Sequence, residues 1–521
     1  MEQQGQSAVN PWVIAMTVML ATFMEVLDTS VANVALPHIA GNLSAGVDES
    51  TWVLTSYLVS NAIILPLSGW FSSLFGRKRF YLGCVILFTL SSIMCGLAPN
   101  LGTLVFFRIL QGLGGGGLQP VSQAILVESF PKKKHGLAMA IYGMGVVVAP
   151  IIGPTLGGWI TDNYSWRWIF LINIPVGFLA VSLVTALLVD PPYLVRKNWR
   201  KERIDYMGLG LLAIGLGCLQ VVLDKGQRED WFGSHFILGF SIIAVSALVL
   251  GFFWEFFHDA PVIELRLFKD RNFLVATFTM FMLGFMLYGS IVLLPIFLQT
   301  LMGYTALLSG LVLSPGGLVV LIMMPLVGWL LIKFEARWLI IVGIAVSSLS
   351  LFQMARFNLQ ISFSDAMYAR LVQGFGLAFL FVPINTAAFY FIPKEKSGNA
   401  AGLINLARNI GGSFGIAFVT TLLSRRTQFH QNVLVSHVTP FHDAYQQMMH
   451  EARQMLVQQG IHAVEAANSA SALIYQLVQR QAHMMAFIDD FWILGVMFIL
   501  LIPFMFLLRR TKPQQKEFPA P

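Results

Sequence analysis

Charged residues are scarce in this sequence. Asp, Glu, Lys and Arg make up 11% of its 521 residues, whereas soluble globular proteins carry about 25%, so the composition excludes a soluble globular protein. Cysteine is rarer still, with three residues that all lie inside apolar runs, and we expect neither a disulfide nor a metal site. The glycine run 114–117 lacks the Lys-Ser/Thr pair of a nucleotide-binding loop. With no catalytic constellation either, the sequence predicts neither an enzyme nor a bound cofactor.

Long hydrophobic runs take the place of charge, because 56% of the residues are hydrophobic. About 20 apolar residues cross the bilayer core as a helix. Runs of this length predict an all-α polytopic membrane protein, since a helix satisfies its own backbone hydrogen bonds in lipid. Fourteen spans are predicted, approximately at residues 12–36, 52–74, 80–98, 102–127, 136–160, 168–189, 206–224, 234–254, 272–298, 306–332, 338–356, 367–391, 400–424 and 488–508.

The Lys and Arg residues lie mainly in one set of alternate loops. A formal net charge of +7 could indicate a nucleic-acid partner, but cations placed in short loops between spans are explained by the positive-inside rule. We therefore expect no nucleic acid, and we expect both termini to be cytoplasmic. The basic loops lie at residues 77–79, 132–134, 196–203, 266–271, 333–337, 394–396 and 509–516.

Three segments of the first half recur in the second half. Arg108-Ile-Leu-Gln-Gly-Leu-Gly114 recurs 262 residues later from Arg370, and Phe130-Pro-Lys-Lys-Lys-His-Gly136 recurs at the same offset from Ile392. A third match, Leu65-Pro-Leu-Ser-Gly-Trp70, recurs at an offset of 259. Spans 1–6 thus correspond to spans 9–14, and two parallel repeats with a site between them are typical of a rocking secondary transporter. The predicted domains are a six-helix bundle at 1–200, two inserted linker helices at 201–265, and a second bundle at 266–521 with an extracytoplasmic segment at 425–486.

Two carboxylates, Glu25 and Asp28, interrupt the first span. A charged side chain at mid-bilayer costs roughly 3 kcal/mol, and such residues usually mark a pathway or a relay. The two residues are three positions apart, so they share one helical face. Arg108 in span 4 lies at a depth that matches Asp28 to within roughly 3 Å at 1.5 Å per residue. A guanidinium within reach of a carboxylate offsets the insertion cost of both groups.

Several motifs resemble one family, the major facilitator superfamily, and within it the fourteen-span drug:proton antiporters of the EmrB and QacA type. The resemblance covers nearly the whole chain. Ser73 stands where the superfamily pattern has an acidic residue, so no gating ion pair is expected at that position. The motifs are Leu27-Asp-Thr-Ser-Val-Ala-Asn-Val-Ala-Leu-Pro37, Gly69-Trp-Phe-Ser-Ser-Leu-Phe-Gly-Arg-Lys-Arg79, Arg108-Ile-Leu-Gln-Gly112, Gly153-Pro-Thr-Leu-Gly-Gly158, Trp166-Arg-Trp-Ile-Phe-Leu-Ile-Asn-Ile-Pro175 and Ala407-Arg-Asn-Ile-Gly-Gly412.

This resemblance implies a major facilitator fold and export of hydrophobic and cationic drugs across the bacterial inner membrane in exchange for protons. Protons are the coupling ion, and no cofactor is implied. The resemblance also implies a periplasmic adaptor of the EmrA type and an outer-membrane channel as partners, which makes the segment 425–486 a docking candidate; a simple lid is the alternative.

The expected site residues fall into three groups. Proton coupling is assigned to Asp28, Glu25 and Arg108. The substrate cavity is expected to include Asn33, Gln111, Asn385, Asn405, Arg408 and Asn409. Conformational motifs are expected at Gly69, Gly76, Arg77, Gly153, Pro154, Gly157 and Gly158.

Several alternatives stay open at this stage. The carboxylates and Arg108 form either a proton site or a purely structural pair. Arg408 faces either the cavity or a helix partner, whereas Arg370 is expected to be structural, with Asp365 nearby as a possible partner. The inserted spans 7 and 8 are expected to face lipid. The function itself has two rivals, namely an uptake symporter or facilitator on the same fold and a membrane sensor or scaffold that transports nothing.

Overall fold

The chain forms long helices that cross a membrane-sized layer in alternating directions. The computed structural model describes residues 10–131, 134–191, 205–258 and 261–510. Within these ranges the regular structure is helical, and fourteen helices are long and apolar enough to cross a membrane. The predicted fold class and number of spans are thus confirmed.

The first bundle and the inserted pair account for the first eight spans. Their helices are α1 Pro11–Asn42, α2 Trp52–Phe75, α3 Arg77–Gly96, α4 Leu101–Ser129, α5 His135–Asn163, α6 Trp168–Leu187, α7 Tyr206–Lys225 and α8 His235–Phe257.

The second bundle contains six further spans and one helix outside the membrane. These are α9 Arg271–Thr300, α10 Ala306–Lys333, α11 Ala336–Met354, α12 Phe363–Phe389, α13 Ser397–His437, the extramembrane α14 Asp443–Gln458, and α15 Ala463–Ile499. Helix α13 runs well beyond the predicted end of its span near residue 424, because no proline or glycine interrupts the chain between 424 and His437.

The two bundles meet along α5 with α10 and along α2 with α13. Close backbone approach needs glycine at the first of these contacts: a Cβ on Gly136 would lie 2.9 Å from the carbonyl oxygen of Gly328, and the reverse substitution meets the same obstacle. Small residues at such crossings let helices pack closely in a membrane, where lipid supplies no hydrophobic force between them. The region between the bundles is therefore bounded on each side by a pair of closely packed helices.

The inserted helices differ from each other in their surroundings. Helix α8 exposes many large apolar side chains to the lipid region, including Val245 and Leu250. Helix α7 instead packs against both bundles: Gln220 is buried and donates to the Ser413 hydroxyl on α13 at 2.9 Å, while Lys225 donates to Thr51 beside α2. The expectation that both inserted helices face lipid is thus wrong for α7, whose polar residues find partners in both bundles.

The segment between spans 13 and 14 forms a helical hairpin outside the membrane. Helix α14 begins at Asp443, and the chain turns at Gly460, whose φ of +91° favours glycine. Leu456 on α14 packs against Ala466 and Ala470 on α15. The hairpin thus has a small apolar core of its own and leads directly into the last span.

Candidate functional site

Asp28 lies at the centre of a buried polar cluster inside the first bundle. Its Oδ2 accepts a hydrogen bond from Nη1 of Arg108 at 2.6 Å. Its Oδ1 accepts from the side-chain amides of Gln111 at 2.9 Å and of Asn173 at 2.7 Å. The predicted proximity of Asp28 and Arg108 is therefore present in the fold, and two motif residues on α4 and α6 complete the cluster.

Arg108 is held from several directions. The side chain is fully buried, its Nε donates to the carbonyl oxygen of Val53 at 3.0 Å, and its Nη1 also donates to Gln111. The guanidinium carbon lies 4.3 Å from the ring centroid of Tyr57, a distance at which a cation is attracted to an aromatic face. The planar fork of arginine suits this arrangement, because it serves a carboxylate, a carbonyl and a ring simultaneously.

Glu25 lies one turn away and has different neighbours. Its Oε1 accepts from the Tyr57 hydroxyl at 2.9 Å and from Asn61 Nδ2 at 3.1 Å. Its Oε2 accepts from Gln119 Nε2 at 2.6 Å. Glu25 is 2% exposed, and every hydrogen-bond donor to it in the described structure is a neutral side chain. Tyr57 joins the two clusters, since its hydroxyl binds Glu25 while its ring lies beneath Arg108.

Arg408 brings the second bundle to this cluster. The Nη2 of Arg408 donates to Gln119 Oε1, and the same Gln119 side chain donates to Glu25. Asn409 Nδ2 donates to Asn61 Oδ1 at 3.2 Å. Arg408 therefore faces the interface between the bundles, where one glutamine separates its positive charge from the carboxylate of Glu25.

A second layer of contacts lies one turn further along α4. Gln123 donates to Asn385 on α12 and accepts from Asn405 Nδ2 at 2.6 Å. The Tyr142 hydroxyl donates to Asn405 Oδ1 at 2.8 Å. Asn385 and Asn405, both expected in the cavity, are thus buried at the meeting surface of the two bundles.

A third layer lies at the level of the basic loops. Arg77 pairs with Glu128 at the end of α4, and the Ser397 hydroxyl donates to the same Glu128 oxygen at 2.6 Å. Ser73 donates to the carbonyl oxygen of Trp70 in its own helix at 2.7 Å. An ion pair therefore does form at this loop, but its carboxylate belongs to Glu128 on α4 and not to residue 73.

The glycines of the loop motif allow the helices of this third layer to approach closely. Gly76 has a φ of +88°, which lets the chain turn sharply between α2 and α3. Gly69 packs against the backbone of Asn399 at the start of α13, where an added Cβ would collide. Both residues thus allow the close approach that places Arg77 beside Ser397.

The motif on α5 shapes its contact with α1. Pro154 has no N–H group, so the carbonyl oxygen of Pro150 four residues earlier lacks its usual helical donor. The Ser30 hydroxyl of α1 donates to that oxygen at 3.1 Å. A Cβ on Gly157 would lie 3.0 Å from Val31 on α1, whereas Gly158 has room for one. Gly153 packs against Ser30 as well.

Two expected residues lie apart from these clusters. Asn33 is exposed and lies about 12 Å further along α1 than the buried Glu25, at 1.5 Å per residue. Asp365 accepts hydrogen bonds from Ser362 at the start of α12. Arg370 donates to Gln373, so the suggested pairing of Asp365 with Arg370 is wrong, because the acid is engaged in capping its own helix.

Sequence reasoning missed several polar residues that the fold brings to the site. The signal was available, since an amide or hydroxyl group within an apolar span needs a partner in lipid, and two of these residues repeat at a helical interval of four on α4. The missed residues are Tyr57, Asn61, Gln119, Gln123, Glu128, Tyr142 and Asn173. In the parts of the chain that the structure describes, no group of three His, Cys, Asp or Glu side chains is placed to hold a metal ion.

Comparison with known proteins agrees with this architecture. The Major Facilitator Superfamily model matches residues 18–416. The chain is 36% identical over 488 residues to the multidrug export protein EmrB of Haemophilus influenzae, covering 93% of each chain. It is 37% identical over 497 residues to the fatty acid resistance protein FarB of Neisseria gonorrhoeae, covering 95% of each.

Solved structures share the fold at low sequence identity. The proton:xylose symporter XylE has a TM-score of 0.61 and 16% identity, with 97% of each chain covered. The human organic anion transporter MFSD10 has a TM-score of 0.55 and 11% identity, with 94% of this chain and 99% of the other covered. From the family match and the close relatives together, the chain belongs to the major facilitator superfamily and to its EmrB-type multidrug transporters, and is a multi-pass secondary transporter of the bacterial inner membrane.

Proposed function

We propose that this protein is a proton-coupled antiporter that exports hydrophobic and cationic compounds, with Glu25 and Asp28 carrying the coupling proton. The observation that carries the proposal is the position of Glu25. It is a buried carboxylate at the surface where the two bundles meet, and Gln119 connects it to a cation of the opposite bundle. A change in its protonation therefore changes the free energy of the contact between bundles.

The three polar layers along α4 support an outward-facing state. They lie on the half of the molecule that ends in the basic loops, which the positive-inside rule assigns to the cytoplasm. Among the described residues, seven hydrogen bonds join the bundles there. Interhelical hydrogen bonds in membranes average about 0.6 kcal/mol, so the set contributes about 4 kcal/mol. A difference of this size closes the cytoplasmic side and still permits it to open in a transport cycle.

Substrate and proton compete for the charge of Glu25. A cationic compound between the bundles favours the ionised carboxylate, because opposite charges attract strongly in a cavity of low dielectric constant. Protonation of Glu25 from the outer side removes that attraction and releases the compound. Asn33, exposed about 12 Å nearer the outer end of α1, is the polar residue of this helix that we assign to the path between Glu25 and the outer side.

The Asp28 cluster has a second part in this scheme. Asp28 is buried with all its partners in the first bundle, so it senses the cavity through Tyr57 and not directly. Arg108 holds its carboxylate in one orientation and balances its charge. Movement of Tyr57, when Glu25 changes protonation, alters the contact of Arg108 with the ring and so links the two carboxylates.

Proton movement in inverted membrane vesicles tests the proposal. In vesicles with an acidic lumen, addition of ethidium or other hydrophobic cations should raise the luminal pH, because protons leave as substrate enters. Asp28→Asn should abolish the response, and Glu25→Gln should weaken it most for cationic compounds. Asp162→Asn, which alters an exposed carboxyl near the outer end of α5, should keep it. Further acidification would indicate a symporter, and an unchanged luminal pH with no uptake of any compound tested would indicate a sensor or scaffold.

The orientation of the chain needs its own test. A cysteine at Ser436, on the extramembrane end of α13, should react with a membrane-impermeant thiol reagent in intact cells. A cysteine at Glu335, between α10 and α11, should react only after the cells are permeabilised. Reaction of both in intact cells would contradict the assignment of the basic loops to the cytoplasm.

The extramembrane hairpin is the surface we assign to a periplasmic adaptor of a tripartite system that ends in an outer-membrane channel. It exposes apolar side chains to water, among them Phe441 at 92%, Met455 at 53% and Val464 at 79%. Large exposed apolar patches mark contact surfaces, and these side chains are candidates for such a patch on the hairpin. Phe441→Ser with Val464→Ser should weaken co-purification of an EmrA-type adaptor, whereas paired serines at the lipid-facing Val245 and Leu250 should leave it unchanged.

A further inference from the structure

A cavity of about 440 Å³ lies at the outer end of the second bundle. Its walls come from the end of α13, from α14, from the first half of α15 and from Leu359 in the loop between α11 and α12. Cavities that bind small organic ligands range from about 300 to 1,000 Å³. The volume therefore suits one small molecule, and three helices and a loop give the cavity a fixed shape.

This cavity is far from the transport site. Leu434, which lines it, lies 26 residues along α13 from Arg408, a distance of about 39 Å at 1.5 Å per residue. A compound bound in the cavity does not touch Glu25, Asp28 or their partners. The cavity is thus a separate site and not an extension of the central one.

Apolar side chains form most of the wall. Leu434, Ile474 and Leu477 contribute from α13 and α15, and Tyr445 and Met448 contribute from α14. Ile474 is 5% exposed, but Met448 is 46% and Leu477 54% exposed. An apolar wall left open on an extramembrane segment is costly in water, and methionine adapts its shape to varied apolar ligands.

Arg480 gives the cavity lining a permanent positive charge. His437 and His442 line the cavity as well, and in the part of the chain that the structure describes no carboxylate is among the lining residues. Arg480 also donates to the carbonyl oxygen of Leu301, just beyond the end of α9, at 3.0 Å. That bond holds one N–H group of the guanidinium beside the end of α9, and the other N–H groups stay available to a ligand.

We propose that this cavity binds an amphiphilic anion, an alkyl chain that ends in a carboxylate. The apolar wall takes the chain, and Arg480 with the two histidines takes the carboxylate, because guanidinium and carboxylate groups form strong paired hydrogen bonds. A hydrophobic cation, which the central site favours, is repelled here. The same chemistry occurs in free alkyl carboxylates and in anionic lipid headgroups. We assign the site to the free carboxylate, since a cavity of about 440 Å³ suits one small amphiphile better than a lipid with two chains.

Direct binding of radiolabelled dodecanoate tests this assignment. The full-length protein is placed in nanodiscs of phosphatidylcholine, and bound ligand is counted against empty discs. Wild type should bind saturably. Ala444→Trp, which fills the cavity, should weaken binding by about tenfold or more, equivalent to a single lost contact of moderate strength. Met455→Trp is the matched control, because this residue lies on the same helix outside the cavity, and it should bind as wild type does.

The charge requirement is tested separately. Arg480→Gln should weaken binding of dodecanoate while Arg480→Lys keeps most of it, and neither dodecanol nor dodecyltrimethylammonium should compete as well as the carboxylate. Equal competition by the three compounds, or unchanged binding in Ala444→Trp, would overturn the proposal. Displacement of dodecanoate by phosphatidylglycerol added to the disc would overturn the assignment to a free carboxylate in favour of lipid. Binding is measured without transport, so failure of the antiport proposal leaves this result unaffected.

Discussion

Each bundle buries an arginine at an equivalent position, but the two arginines have different partners. Arg108 on α4 and Arg370 on α12 occupy equivalent positions in the repeat, and each donates to the glutamine three residues later in its own helix. In the first bundle that glutamine donates to Asp28, whereas in the second Gln373 donates to Ser290 at 3.0 Å. Ser290 on α9 thus takes the place of Asp28 as the residue that accepts from this glutamine. The second bundle therefore keeps the arginine and glutamine and lacks the carboxylate.

This difference bears on whether Asp28 is merely structural. If a carboxylate were needed to bury an arginine at this depth, the second bundle would need one as well. Arg370 is 1% exposed and, among the described residues, has no carboxylate within ion-pair distance. The fold thus tolerates the arginine without its acid, and the presence of Asp28 in one bundle only favours a functional role.

Loss of Arg108 should have the largest effect. Arg108→Ala leaves Asp28 as a buried carboxylate without its cation, and removal of one partner of a buried pair costs about 3–5 kcal/mol. We expect little folded protein in the membrane and no export. Arg370→Ala leaves no such charge behind, so its cost should be smaller, about 1–3 kcal/mol. Fluorescence-detected size exclusion after heating compares the two variants; equal destabilisation would show that Asp28 places no special demand on Arg108.

Asp28→Asn should remove coupled export while the protein still accumulates. Asparagine keeps the shape of the side chain, and the second bundle already buries its arginine beside a neutral residue. Efflux of a cationic substrate and protein level are measured in the same membranes. A fall in efflux in proportion to protein level would support the structural alternative, and near-normal efflux per molecule would end the proton-site proposal.

Glu25→Gln should act selectively on charged substrates. Glutamine keeps a carbonyl oxygen for Tyr57 or Gln119 but removes the negative charge that faces Arg408 through Gln119. We expect resistance to a hydrophobic cation to fall about tenfold more than resistance to a neutral compound, which corresponds to about 1.4 kcal/mol of lost attraction. A resistance panel in a host without its own pumps measures the ratio; an equal fall for both substrates would assign Glu25 to the proton alone.

The sequence predicted some parts of this site well. The helical interval between Glu25 and Asp28 and the depth of Arg108 follow from the constant rise of a helix, so their proximity was accessible to simple arithmetic. The contacts of Glu25 with Gln119 and of Gln119 with Arg408 could not be predicted in this way, because they depend on how the second bundle docks against the first. Glu128 was missed for a similar reason: the acid that pairs with Arg77 comes from another helix and lies outside the loop motif.

The smallest expected effect comes from supplying the missing carboxylate. Ser290→Asp places an acid beside Gln373 and within the neighbourhood of Arg370, where it recreates the arrangement around Asp28. Burial of the new charge costs free energy that the ion pair returns, so we expect a stability within about 1 kcal/mol of the parent. The double variant Ser290→Asp with Arg370→Ala should lose about 3–5 kcal/mol relative to Ser290→Asp, because the acid is then unpaired. The cycle of the two single variants and the double variant isolates the coupling energy between residue 290 and Arg370. A coupling energy near zero would show that the two bundles hold their arginines differently, and Arg370 would then give no reason to assign a functional role to Asp28.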